Sequence, residues 1–208
     1  MSRDGWFRNT RWDDSIAELF EAKLRRARTK GQYLRIQACM LCESNPAVAL
    51  SLLDRYFAQT DERFDDAQAH VDRASALLAL GRADEAVESY EEALRAESRM
   101  PNLLTQAYVE LPYLIAVRGI LARYTRALEV LKMHRQRLTF PVDHFKWNAA
   151  QALLAGAAGN HASAREFAGA ALEASAKDHS GFRYHAKIGL VSEEHSEALR
   201  LLRGYCDS

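Results

Sequence analysis

The sequence predicts an all-α protein built from antiparallel helix pairs. Apolar residues recur at three- and four-residue spacing through most of the 208-residue chain, as in Leu50, Leu53 and Phe57, or Leu128 and Leu131. Between residues 67 and 98, small residues (Ala74, Gly81, Ala86, Ala93) alternate with Leu77 and Tyr90 in the way that two closely touching helices require. The pattern around Ala86 in LGRADEAVESY also returns around Ala49, Ala127 and Ala164, at intervals of 37, 41 and 37 residues.

The helices follow in order from these periodicities and from their punctuation. A first helix is expected near 13–29. Pairs follow at 31–43 with 46–59, 66–80 with 83–98, 102–121 with 124–138, and 143–158 with 161–177, and a last helix near 193–204. Pro46, Pro101 and Pro141 mark helix starts, where the missing N–H costs nothing. Pro112, inside YVELPYLIAV, removes a helical hydrogen bond and is expected to kink or split its helix.

Composition narrows the function. With 48% hydrophobic and 27% charged residues, the chain has the balance of an ordinary globular protein. Lys plus Arg equals Asp plus Glu at 28 each, so no net charge draws the whole chain to nucleic acid or an anionic membrane. Charge is nonetheless blocked along the chain. Residues 1–35 hold nine basic against five acidic residues, 61–97 four against eleven, and 118–146 seven against two. No run approaches the roughly 18 apolar residues of a membrane span, and MSRDGWFRNTRW lacks the apolar core of a signal peptide. Three cysteines give no disulfide framework, so a cytoplasmic location is expected.

Residues 67–98 resemble one tetratricopeptide repeat. Ala74, Gly81, Ala86 and Ala93 occupy that family's small positions, Leu77 and Tyr90 its large apolar ones, and LGRADEA its turn. The resemblance, strongest around Ala86 and Ala164, is to uncharacterised bacterial proteins of this kind. It implies a single domain over 1–208: a right-handed solenoid of about four repeats over 30–177, an N-terminal cap over 1–29, and a loop with a capping helix over 178–208. It also implies a non-catalytic scaffold or adaptor for a protein or peptide partner. Register with the family would line the concave groove with Leu34 and Ala38, then Val71, Ser75 and Leu78, then Pro112, Ala116, Ala149 and Leu153. The Lys, Arg and Asn positions with which one subset of the family clamps a C-terminal carboxylate are missing. An apolar groove of this kind would take an amphipathic helix or apolar peptide, or be filled by the chain's own C-terminal segment.

Two clusters at the chain ends are the other candidate contact sites. GWFRNTRW gathers Trp6, Phe7 and Trp12 around Arg8 and Arg11, residue types that anchor interfaces. The competing reading is that the aromatics cover the open end of the first pair. KDHSGFRYHAKIGLV, residues 177–191, breaks the helical pattern between Gly181 and Gly189 and crowds His179, Phe182, Arg183, Tyr184 and His185 together. It reads either as a ligand loop, with Arg183 for an anion, or as a segment folded back on the last repeat with Phe182 and Ile188 buried.

No chemistry emerges beside these. Asp143 and His144 are neighbours on a helix and point about 100° apart, so they form no acid–base pair; Asp143 is expected to cap. Cys39 and Cys42 lack a second ligand pair or a redox setting, and with Cys206 read as free thiols. Phosphate loops, nucleophile elbows and HExxH are absent. The acidic run Asp84–Glu92 reads as a solvated face with a Glu91–Arg95 pair. The basic stretch from Arg118 to Arg137 lacks interleaved stacking aromatics in a known module, so nucleic acid is not the expected partner. The chain is therefore read as no enzyme and as needing no cofactor or metal. The alternatives to a scaffold are a self-associating homo-oligomer and a small-molecule or anion sensor using the 178–191 loop.

Overall fold

The computed structural model describes residues 5–59 and 64–206. All regular structure among them is helical: α1 (Asp14–Arg26), α2 (Lys30–Leu41), α3 (Pro46–Phe57), α4 (Asp66–Ala79), α5 (Ala83–Arg99), α6 (Ala107–Val117), α7 (Tyr124–His134), α8 (Pro141–Ala157), α9 (His161–Ser175) and α10 (Ser196–Cys206), with short 3₁₀ turns between some of them. No helix among the described residues is long and apolar enough to cross a membrane. The chain divides into two compact units, Met1–Ala107 and Tyr108–Ser208.

In the first unit α2 packs on α3 and α4 on α5, with α3 and α2 also against α4. Connections of three or four residues leave each pair no choice but to run antiparallel. The core joins Leu34, Ala38 and Leu41 of α2 to Leu52, Leu53 and Tyr56 of α3 and Ala69 and Ala76 of α4, with Phe20 and Leu24 of α1 closing one side. In the second unit α8 packs on α9, and α10 lies across both. Phe145, Ala149 and Ala152 meet Ala168, Ala171 and Ala174, and Ala198 and Leu202 of α10 close over them. Alanine-rich faces let these helix backbones approach closely. Trp147 ties α7 to α8 by donating its indole N–H to the Leu131 carbonyl at 3.3 Å.

The four reference alanines, Ala49, Ala86, Ala127 and Ala164, are all fully buried. Three turns share one geometry. Gly81, Gly119 and Gly159 have φ of 73°, 63° and 75°. The next N–H (Arg82, Ile120, Asn160) reaches back to Leu77, Ile115 and Ala155 at 2.9, 3.0 and 2.9 Å. This is the six-to-one closure that a left-handed glycine permits after a helix.

Several sequence expectations change in detail. Pro46 and Pro141 open α3 and α8 as expected, but Pro101 opens nothing. The helix expected from 102 starts at Ala107, because buried Glu97 accepts from the Thr105 N–H (2.7 Å) and hydroxyl (2.6 Å), and Thr105 Oγ1 then receives the Ala107 N–H at 3.2 Å. Pro112 does not split α6, which runs unbroken through it; the hydrogen bond it forgoes would reach only Tyr108 in the first turn. Arg95 pairs with Glu92 at 2.7 Å, whereas Glu91 is buried. Asp143 does cap: its Oδ2 accepts from the N–H groups of Thr139 (3.1 Å) and Phe140 (2.9 Å).

Candidate functional site

Of the residues read as contacts from the sequence, the N-terminal aromatics are committed to packing. Trp6 is half-buried, with its ring 5.3 Å from Phe7, 5.5 Å from Phe20 and 4.8 Å from Tyr33, and Trp12 lies 5.5 Å from Phe20. Gln37 fixes this arrangement. Fully buried among Leu34, Ala38 and Leu41, it donates to the Asn9 carbonyl at 2.8 Å and accepts from the Asn9 backbone at 3.1 Å and side chain at 2.8 Å. A polar residue on the apolar face of α2 was the one sequence signal of this anchor. Arg8 stays exposed, 5.4 Å from the Phe7 ring centroid.

The groove residues divide. Leu34 is 1% exposed and belongs to the core. Ala38, Pro112, Ala116, Ala149 and Leu153 are buried as well. None of these can meet a partner in this conformation, because the alanine-lined faces are consumed by helix–helix packing. Val71 and Leu78 are half-buried and Ser75 is exposed. A cavity of about 270 Å³ in the first unit, between the start of α4 and the end of α5, has a different lining: Phe64, Asp66, Ala67, Ala96, Arg99, Met100 and Leu103.

The loop after α9 is different, because it is exposed and ordered together. Ser180 organises it from a buried position. Its hydroxyl donates to the His185 carbonyl at 2.7 Å and accepts from the Phe182 N–H at 3.1 Å, and its own N–H reaches the Ala186 carbonyl at 2.8 Å. The His179 ring accepts from the Gly181 N–H at 2.9 Å. Two further turns, His185 to Phe182 and Ile188 to His185, both at 3.1 Å, complete the fold of the segment. Gly189 seats it on α8. Its φ is 63°, its carbonyl receives the Val142 N–H at 2.9 Å, and a Cβ there would lie 2.5 Å from Phe140.

Phe182, Arg183, Tyr184 and His185 consequently all face outward. Phe182 is 44% and Tyr184 80% exposed, so the fold-back reading that buried Phe182 and Ile188 does not describe this segment. Phe182 leans on Phe140 at 5.3 Å, and the Arg183 guanidinium lies 5.3 Å from the Tyr184 ring centroid. Sequence reasoning found these four residues through the glycines around them. It missed Ser180 and Phe140, whose roles depend on contacts with no sequence pattern.

Behind the loop, His195 holds the entry to α10. Its ring is 2% exposed, between Phe145 (5.3 Å, edge-on) and Tyr113 (6.0 Å). Nδ1 faces the Ser192 backbone, 3.3 Å from its nitrogen and 3.2 Å from its oxygen. Burial, reinforced by the nearby Lys146 ammonium, lowers the imidazole pKa below its ordinary value of 6.5. Lys146 is itself paired with Glu110 at 2.6 Å. Since the folded value lies below the unfolded one, protonation favours the unfolded form. The stabilisation is complete above about pH 6.5 and is lost as pH falls through the folded value. The protection factors of the α10 amides, which correct for the intrinsic pH dependence of exchange, should therefore fall on acidification from neutral pH, and a His195→Asn variant should flatten that dependence. An identical pH dependence in the variant would remove His195 from the account.

Among the described residues, no group of three or more His, Cys, Asp or Glu side chains could hold a metal. Cys42 is buried, its thiol donating to the Asp72 carbonyl oxygen at 3.2 Å, and burial pushes its pKa up to about 12. Burial raises Cys39 too, so neither thiol is an activated nucleophile. Comparison of the chain with protein-family models, curated proteins and solved structures finds no match, so the ordered, outward-facing loop itself is the basis for a functional reading.

Proposed function

We propose that this chain is a non-catalytic scaffold of tetratricopeptide-like helix pairs that binds another protein through the 178–191 loop. The observation that carries the reading is the loop's combination of order and exposure. Phe182, Arg183, Tyr184 and His185 are held outward by hydrogen bonds centred on a buried serine. Aromatic and Arg side chains presented on a fixed backbone lose little entropy on binding and are the usual interface anchors. The repeat character is supported by the shared glycine turns at 81, 119 and 159 and by the four fully buried reference alanines.

Affinity capture of the tagged protein from extract of its source cells, compared with an Arg183→Ala/Tyr184→Ala variant, tests this reading. Both residues are exposed, so the variant is expected to keep wild-type helicity by circular dichroism. A stoichiometric partner lost in the variant is the expected result. Equal capture by both proteins, or capture of nothing, would sink the loop as the contact surface.

A further inference from the structure

We infer that the loop surface recognises an acidic protein segment bearing an aromatic or aliphatic anchor, an inference that rests on the scaffold reading above. Three cations and one carboxylate lie in residues 177–188: Lys177, Arg183 and Lys187 against Asp178. The cations are not neutralised locally. Arg183 makes no ion pair or hydrogen bond among the described residues, and its only close partner is the Tyr184 ring. Lys187 donates its ammonium to the Asp178 backbone carbonyl at 3.0 Å, which satisfies a proton without cancelling a charge. Lys177 is exposed. The whole second unit leans the same way, with 13 Lys and Arg against 10 Asp and Glu over 108–208.

Between these charges lie apolar surfaces of the size a single side chain covers. Phe182, Tyr184 and Ile188 are 44%, 80% and 50% exposed. A guanidinium held near a tyrosine ring with no ion pair of its own keeps its N–H donors free, and these can pair with a carboxylate through two parallel hydrogen bonds. An acidic side chain on Arg183, a second near Lys187, and an aliphatic or aromatic residue against Phe182 and Ile188 would use the loop's exposed charges and apolar surface together. Because Ser180 and Gly189 fix the backbone beforehand, the ordering cost falls mainly on the partner.

The observations favour protein over the other anionic partners. Single-stranded nucleic acid needs a cationic track with several stacking faces, and here the Phe182 ring already leans on Phe140 and the Tyr184 ring carries Arg183. An anionic membrane would meet Glu193 and Glu194, both exposed immediately after the loop's end.

Selection of peptides from a random display library on the full chain, with an Arg183→Glu/Lys187→Glu full chain as counter-target, tests the inference. Enriched peptides are expected to carry net negative charge and at least one Leu, Ile, Phe or Trp. The best of them should bind the charge-reversed variant roughly tenfold to a hundredfold more weakly, and should weaken as salt is raised. Circular dichroism of the variant verifies that it is folded. Enriched peptides that are neutral or basic, or that bind both proteins equally, would overturn the acidic specificity while leaving the scaffold reading in place. No enrichment at all would remove both. Binding of single-stranded RNA or phosphatidylserine vesicles without any peptide would overturn the inference in favour of those partners.

Discussion

Replacing Arg35 with methionine is expected to destabilise the first unit by about 3 kcal/mol, the low end of what breaking a buried ion pair costs. Arg35 Nη1 lies 3.0 Å from Asp72 Oδ2, and its Nε 3.3 Å from Asp65 Oδ2, so one side chain on α2 reaches both the N-cap and the middle of α4. The Asp72 carboxylate, 4% exposed as a residue, also accepts from Gln68 Nε2 at 3.0 Å. Burial raises its pKa above the ordinary 3.8, with Gln68 and then Arg35 opposing the shift. A raised carboxyl pKa means that folding favours the protonated form, so this group's contribution weakens as pH rises from about 3.8 through the folded value. Without the guanidinium that window should extend further upward, and the variant should lose more stability at neutral than at acid pH. Urea unfolding followed by circular dichroism checks both statements. The Arg35→Met/Asp72→Leu double variant should recover most of the loss, because an apolar pair of similar size leaves no charge stranded. A single variant within about 1 kcal/mol of wild type would show that water reaches Asp72 freely.

The second large effect is expected at Gly189. Alanine there must adopt φ of 63°, and its Cβ would fall 2.5 Å from the Cβ and Cγ of Phe140, the base of a side chain and not its movable tip. Left-handed backbone costs about 1–2 kcal/mol and overpacking about 1–3 kcal/mol, so the loop should leave its seat on α8 and not absorb both. Gly189→Ala is expected to give up the Val142–Gly189 hydrogen bond and to accelerate hydrogen exchange across 180–190. Exchange in α4 and α5 should stay at the wild-type rate. If the loop is the contact surface, partner affinity should fall although no exposed contact residue has changed. Unchanged exchange across 180–190 would mean that Phe140 yields easily and the seat is not rigid.

These two sites differ in how they could be read from the chain. The small-residue spacing around Ala86 was visible because helix contact recurs every three or four residues and leaves a periodic trace. The same trace marked Ala49, Ala127 and Ala164, all fully buried. The exposed residues of the loop were visible too, since Gly181 and Gly189 end one periodic pattern before the next begins. Arg35 and Asp72 stand 37 residues apart and carry no mark of their pairing. Ser180 looks like any loop serine until its hydroxyl is found between Phe182 and His185.

The sequence by itself determined an all-helical chain, the approximate span of most of its helices and the small residues at which paired helices touch. Hydrophobic period, proline and capping residues act within a turn or two of the chain, and their information is local. Only the tertiary structure decided which face of each helix remained outside. It put Leu34 in the core when register placed it in a groove, drew Trp6 under Tyr33, and turned Glu97 inward to delay the start of α6. It also left Phe182 and Tyr184 in solvent. Period assigns a residue to a stripe, but burial within that stripe depends on which neighbouring helix arrives to cover it.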